Sequence, residues 1–260
     1  MGTAVKIIMS KTISVVHILW LRQMKRYFRS RARILSSLGQ PLLFLVGLGF
    51  GMGPTFQKAG HGNYIQFIAP GIIAMSILFS SVFSGIEIIW DRQFGFLKET
   101  LVAPVNRIHI VLGRTIGSAT VAMIQGLLVF GICMIAGFRP QDLSMLPIAF
   151  AFMFMIAILF TAVGTVVGSI LEDMQSYPLI MNFLVMPLFF FSGALFPKDG
   201  LPRGLELVLK ANPMAYGVDG LRGAFTLTTE TGLASDFFFL TAFTAILLVL
   251  GTYFFSKIEV

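Results

Sequence analysis

Charged residues are scarce in this chain. Asp, Glu, Lys and Arg make up 12% of its 260 residues, against about a quarter in a soluble domain. So little charge cannot cover a water-facing surface, which excludes an ordinary soluble globular protein. Cysteine is scarcer still: the single one, Cys133, lies in an apolar run. No disulfide framework and no CxxC metal site can form within the chain. The three histidines, His17, His61 and His109, are far apart and lack metal-ligand spacing. No G-x-x-x-x-G-K-[ST], H-E-x-x-H or G-x-S-x-G occurs, so P-loop nucleotide binding, zinc proteolysis and a nucleophile elbow find no support. The apolar runs also lack the carboxylates that ion-coupled carriers hold near the membrane midplane. Only Glu87 approaches this, one helical turn from Asp91. It either snorkels to the interface as a structural residue or lines the inner mouth of a pathway.

What is abundant is apolar. The hydrophobic fraction is 56%, with 27 phenylalanines, and the mean hydropathy is +0.86. A membrane-spanning helix needs about 20 apolar residues. Six charge-free stretches qualify: Ile34 to Gln57, Ala59 to Ile86, Thr115 to Phe138, Leu143 to Leu171, Met174 to Pro197 and Phe237 to Ser256. Short alternating strands are absent, and spanning backbone in lipid must satisfy its own hydrogen bonds, so helices are expected. The basic N-terminus lacks a short apolar core followed by a small-residue cleavage site and is expected to be retained.

The net charge of +7 is best read through its distribution. With the N-terminus inside, thirteen Lys and Arg fall on inner segments and six on outer ones, which predicts both termini on the cytoplasmic side. No basic module with interleaved aromatics is present, so nucleic acid is not an expected partner. The expected fold is therefore an all-α integral membrane protein, a single domain over residues 1–260.

Three pieces do not span. Residues 10–33 are amphipathic: Val16, Trp20, Met24 and Tyr27 recur on one face, and Arg22, Lys25, Arg26 and Arg29 on another. This predicts a helix lying in the inner interface, apolar side in lipid and basic side toward anionic headgroups. It is either an elbow that frames a docking site or a plain anchor. Residues 91–114 form the longest inner loop, DRQFGFLKETLVAPVNRIHIVLGR. Phe96, Leu97, Thr100 and Leu101 would share one face of a short helix stopped before Pro104. Such a face either meets a protein partner or packs under the bundle. Residues 197–236 lie outside, too polar to span and too apolar for a free loop. Pro202 would open a short helix with Glu206 and Lys210 paired at i, i+4, Asn212-Pro213 would break it, and a second helix would run to Phe225. Two re-entrant helices are the expectation. Inside the spans, the small-xxx-small spacings Gly113/Gly117 and Gly164/Gly168 and the run Gly47, Gly49, Gly51, Gly53 predict close helix packing.

Two of these segments carry a family resemblance. The inner RQFGFLKETLVAPVNRIHIVLGR resembles the signature of the ABC-2 type transporter permeases: a charged opening, a Gly, a Leu-x-Glu/Thr stretch, Ala-Pro, and Gly-Arg before the next span. The outer FPKDGLPRGLELVLKANPMAYGVDGLRG is similar to that family's region before its last span, with Pro197, Pro202, Asn212, Pro213, Tyr216, Asp219 and Arg222 in the matching places. The order of the motifs, the span count and the chain length agree over the whole chain. The opening differs from many relatives: Asp91-Arg92-Gln93 replaces Glu-Arg-Glu, and Lys98 precedes Glu99.

The resemblance implies a transport subunit, not an enzyme, of a bacterial or archaeal cell membrane. Two permease copies would pair, as a homodimer, in contact with membrane lipid. Each would meet a separate ATP-binding subunit, and ATP and Mg would sit on that partner and no cofactor on this chain. The helix near Leu97 to Val102 would be the coupling helix, framed by Arg92, Glu99 and the elbow. The expected cargo is drug- or lipid-like, hydrophobic, amphipathic or lipid-linked; the alternatives are a polysaccharide or lipid-linked glycan, or an ATP-independent secondary carrier.

Overall fold

In a computed structural model of the protein, residues 2–58, 63–96, 107–197 and 202–258 are described, with side chains from residue 14 onward. Among them all regular structure is helical. In chain order the helices are α1 (Gly2–Arg29), α2 (Arg31–Phe44), α3 (Gly53–Lys58), α4 (Tyr64–Phe83), α5 (Ile86–Gln93), α6 (Arg107–Ile135), α7 (Leu146–Ile170), α8 (Ser176–Phe190), α9 (Arg203–Ala211), α10 (Pro213–Thr226) and α11 (Leu233–Ser256). A π-helical stretch, Leu45–Phe50, joins α2 to α3.

Helix α4 is the central post. It is capped by Asn63, whose Oδ1 accepts from the Ile65 amide at 2.9 Å, and 72% of its span is buried inside the protein. It packs on α6, α7, α10 and α2. The spans containing α2 and α11 are only 17% buried. Their outward side chains, such as Leu43 and Val249, suit lipid.

Backbones meet where α4 hands over to α5. A Cβ on Gly85 would lie 2.1 Å from the Gly164 carbonyl oxygen, one on Gly164 2.5 Å from the Val82 oxygen, and one on Gly168 2.4 Å from the Gly85 oxygen. Tyr177 of α8 closes the contact by donating to the Val82 carbonyl at 2.6 Å. Gly113 and Gly117 of α6 serve α1 similarly, since a Cβ on Gly117 would sit 2.8 Å from Gln23 Cγ. The run at Gly47 behaves differently: Gly47, Gly51 and Gly53 have open space around them. The expected tight packing does not occur there within this chain, and the segment is π-helical, with Pro41 one turn ahead removing a backbone donor.

Several expectations are corrected. Among the described residues five helical segments are long and apolar enough to span, and the stretch expected from Met174 to Pro197 holds the shorter, 15-residue apolar α8. It ends at Phe190, where turns follow from Phe191 and Gly193 takes φ +74°. The first helix covers Gly2–Arg29 and breaks at Ser30, where residues 10–33 had been expected. Its apolar face does not lie in lipid: Leu19, Met24 and Tyr27 are buried, packed toward α6. The inner loop is shorter than 91–114, because α5 runs to Gln93 and α6 starts at Arg107. The outer segment ends early, at the start of α11, Leu233.

Replacing Gly164 by Ala should destabilise the protein by about 1–3 kcal/mol, because the new methyl meets backbone that cannot give way. Gly131→Ala, in open space on α6, should instead be neutral or stabilise by up to about 1 kcal/mol. Thermal unfolding of both variants in one detergent checks this; equal midpoints would overturn the packing account.

Candidate functional site

The inner loop is flanked by a charged junction built on α5. Glu87 and Asp91 are four residues apart and therefore share a face of this helix. Both side chains are buried. Glu87 accepts from Gln23 Nε2 at 2.7 Å and pairs with Arg26 at 3.1 Å and Arg33 at 3.3 Å. Asp91 pairs with Arg22 at 2.7 Å and with the buried Arg114. Two carboxylates thus meet four arginines, drawn from α1, α2 and α6. The Arg22 guanidinium also lies 3.8 Å above the ring of Phe96, a cation–π contact at the threshold of the loop. Burial lowers the pKa of Arg22, the neighbouring Arg26 adds to this and Glu87 opposes it; an arginine stays cationic throughout.

The other face of α5 is tied to α7. Arg92 donates to the Ser169 carbonyl at 3.0 Å and lies 3.9 Å from Glu172. Gln93 donates to the Glu172 carbonyl at 3.0 Å. At the far end of the loop, Arg107 donates to the Ser256 carbonyl on α11. Both edges of the segment 97–106 are therefore fastened to the bundle.

The opposite end of the molecule holds α9 and α10. Asn212 accepts from the Met214 amide and donates to the Leu188 and Phe191 carbonyls at 2.7 and 2.8 Å. Pro213 starts α10 and Pro202 stands at the N-cap of α9, while Pro197 is half-buried in the turn after α8. Tyr216 donates to the Lys210 carbonyl at 2.8 Å and stacks on Phe239. Buried Asp219 accepts from Thr229 and from the amides of Glu230 and Thr231. Arg222 donates to the Gly193 carbonyl at 2.9 Å and lies over the Phe67 ring. Each of these side chains bonds or packs in a way that holds two short helices against the bundle; the expected Glu206–Lys210 pair is present at 2.7 Å.

A model of the ABC-2 type transporter family matches residues 14–226. The chain belongs to the ABC-2 type transporter family. It is 29% identical over 227 residues to the transport permease ycf38 of Cyanophora paradoxa, covering 82% of this chain and 77% of that one. It is 28% identical over 193 residues to Nodulation protein J of Rhizobium leguminosarum bv. trifolii, covering 74% and 73%. With the ycf38 permease of Porphyra purpurea it shares 25% identity over 234 residues, covering 86% and 78%.

In this ABC-2 chain the residues expected at the inner face divide into three groups. Arg22, Arg26, Arg92 and Phe96 converge on α5. Trp20 instead faces α6, donating to Thr120 at 3.1 Å, and Lys25 and Arg29 are exposed. Leu97, Glu99, Thr100 and Leu101 lie outside the described residues. Arg33, Asp91 and Arg114 were absent from the expected site, and Arg114 lies two turns inside α6, where it had been expected in the loop. A signal existed: two acids spaced i, i+4 at the end of an apolar span, near a cluster of arginines.

Asp91→Ala should cost about 3–5 kcal/mol, since it leaves Arg114 buried without its counter-charge. Adding Arg114→Met to that variant should recover part of the loss. Unfolding midpoints and membrane yields measure both; an Asp91→Ala protein as stable as the parent would sink the account of the junction.

Proposed function

We propose that this chain is the membrane subunit of an ATP-driven exporter, working as a homodimer in a bacterial or archaeal cell membrane. Both termini face the cytoplasm, and six crossings are reached because α8 and the turns after it together complete the fifth. ATP is hydrolysed, with Mg, on a separate ATP-binding subunit docked under residues 97–106. The cargo is hydrophobic, amphipathic or lipid-linked. The observation that carries this reading is the fastening of α5 on both faces. A push on the loop moves α5, and α5 cannot move without α1, α2, α6 and α7, because its ion pairs and hydrogen bonds reach all four.

The mechanism follows from linkage. Nucleotide can shift the permease only through contacts that differ between its two arrangements. Closure of the ATP-binding subunits displaces the segment beyond Phe96. The junction converts that displacement into a tilt of α1 against α6 and of α5 against α7. The two copies then rearrange about their shared face, and α9 and α10 shape the outer exit.

Reconstituted in liposomes with the ATP-binding subunit that co-purifies with it, the protein should move cargo only with ATP. Leu97→Glu with Leu101→Glu should reduce ATP-dependent transport at least about ten-fold, the effect of losing about 1.4 kcal/mol of coupling. Transport by the permease alone on a proton gradient would refute the proposal.

A further inference from the structure

The basic residues at the end of α1 and the start of α2 fall into two sets. Arg22, Arg26 and Arg33 are committed to the carboxylates of α5. Lys25, Arg29 and Arg31 are exposed, and among the described residues their side chains form no ion pair and no hydrogen bond. The junction beside them has no negative charge to spare. It already sets four arginines against two carboxylates, so three further cations stand at an end of the bundle that is positive without them.

Their place decides what can meet them. Lys25 and Arg29 are four residues apart and share a face of α1, with Phe28, 59% exposed, beside them. Arg31 opens the membrane-spanning segment Arg31–Phe50, so it stands where acyl chains give way to headgroups. Beneath it runs an uncovered apolar stripe. Leu35, 71% exposed, lies one turn deeper on the side of Arg31. Gly39 follows, where an added Cβ would meet nothing within 4 Å. Leu42 and Val46, both exposed, continue the line at helical steps. Cations at the boundary with a smooth apolar track below them fit one molecule that has an anionic head and a long tail. Guanidinium groups suit a phosphate head in particular, because their paired N–H donors match its oxygens.

A second copy of the chain fits this face less well. Two copies in one membrane pair about an axis along its normal, so residues of equal depth meet their own counterparts. Pairing through the stripe would set Lys25, Arg29 and Arg31 against the same three cations. A zwitterionic lipid brings no net charge, and a neutral headgroup leaves all three unmet.

We propose that Lys25, Arg29 and Arg31 form a binding site for the phosphodiester head of an anionic phospholipid, whose acyl chain lies along Leu35, Gly39, Leu42 and Val46. The lipid acts here as a resident counter-ion. It supplies the negative charge that this end of the protein lacks, next to the ion pairs that tie α1 and α2 to α5. Filling the site needs neither nucleotide nor a partner subunit, so the assignment stands or falls apart from the exporter reading.

Native mass spectrometry of the full-length protein tests it, with phosphatidylglycerol and phosphatidylcholine of matched chains as probes. Each Lys or Arg near a membrane surface adds about five-fold to the retention of an anionic lipid. Phosphatidylglycerol should therefore be held at least about ten-fold more than phosphatidylcholine, and Arg29→Gln with Arg31→Gln should remove at least about ten-fold of that preference. Both positions are exposed, so the fold tolerates the change. Arg203→Gln, which removes an exposed cation on α9 at the opposite end, should leave the preference as it was. Equal retention of the two lipids, an unaltered preference in the double variant, or an equal loss in Arg203→Gln overturns the proposal. Displacement of phosphatidylglycerol by glycerol phosphate at equal concentration overturns the assignment to a lipid and leaves a free phosphate ester as the ligand. A Leu35→Cys protein, oxidised in liposomes, should stay uncross-linked; a disulfide between two copies would mean that a second chain covers the stripe, which also overturns the proposal.

Discussion

The buried pairing of Glu87 and Asp91 with arginines from three other helices is the constraint that shapes one end of this protein. An ionised group taken out of water must be met by opposite charge and hydrogen bonds. Two carboxylates on one face of α5 therefore draw α1, α2 and α6 to the same point. For Arg22 and Arg26 to reach them, α1 must lie tightly on α6, which the glycines at 113 and 117 permit. For Arg33 to reach Glu87 as well, the chain must turn between α1 and α2, and it does so at Ser30. The junction thus accounts for the course of the first forty residues, which hydrophobicity alone would have left lying in lipid.

A different device governs the rest of the bundle. Here helices are joined by close approach of backbone, at the contact of Gly85 with Gly164 and Gly168. Such contacts are stiff, because no flexible side chain separates the two elements. At the far end, irregular backbone after α8 is tolerated because polar side chains cover it: Asn212 takes the carbonyls of Leu188 and Phe191, and Arg222 that of Gly193. Backbone that departs from helix at membrane depth survives only with such cover. The conspicuous polar residues of the outer segment therefore serve the architecture, by bonding to main chain.

This division explains what could be read from the sequence. The spans were legible because lipid forces long apolar runs, and the two outer helices were legible because Pro202, Asn212 and Pro213 punctuate them locally. Less legible was anything set by contacts distant in sequence. Nothing local to α1 says that Met24 and Tyr27 face another helix and not lipid, since both environments accept the same side chains. Arg114 read as the last residue of a loop because it precedes an apolar run, whereas α6 starts seven residues earlier and Arg114 pairs with Asp91 inside the bundle. The Met174 to Pro197 stretch read as a span by composition, while its helix ends at Phe190 and Gly193 beyond it takes a positive φ. Gly47, Gly51 and Gly53 share the spacing of close contacts yet face open space, so spacing alone does not identify a neighbour.

The cavity between α1, α2, α4, α5 and α6 and the charged junction are not separate features. Gln23, Arg33 and Glu87 belong to both: they line the cavity, and they form the bonds that tie α1 and α2 to α5. An occupant that competes for Arg33 or Glu87 alters the balance of those bonds, and a shift of α5 alters the shape offered to the occupant. The two sites must then influence each other by the same free energy in both directions. An occupant of the cavity and a displacement of the loop would act on one shared set of three side chains. Coupling between cavity and loop then needs no long pathway through the bundle, because α5 both leads into the loop and forms a wall of the cavity.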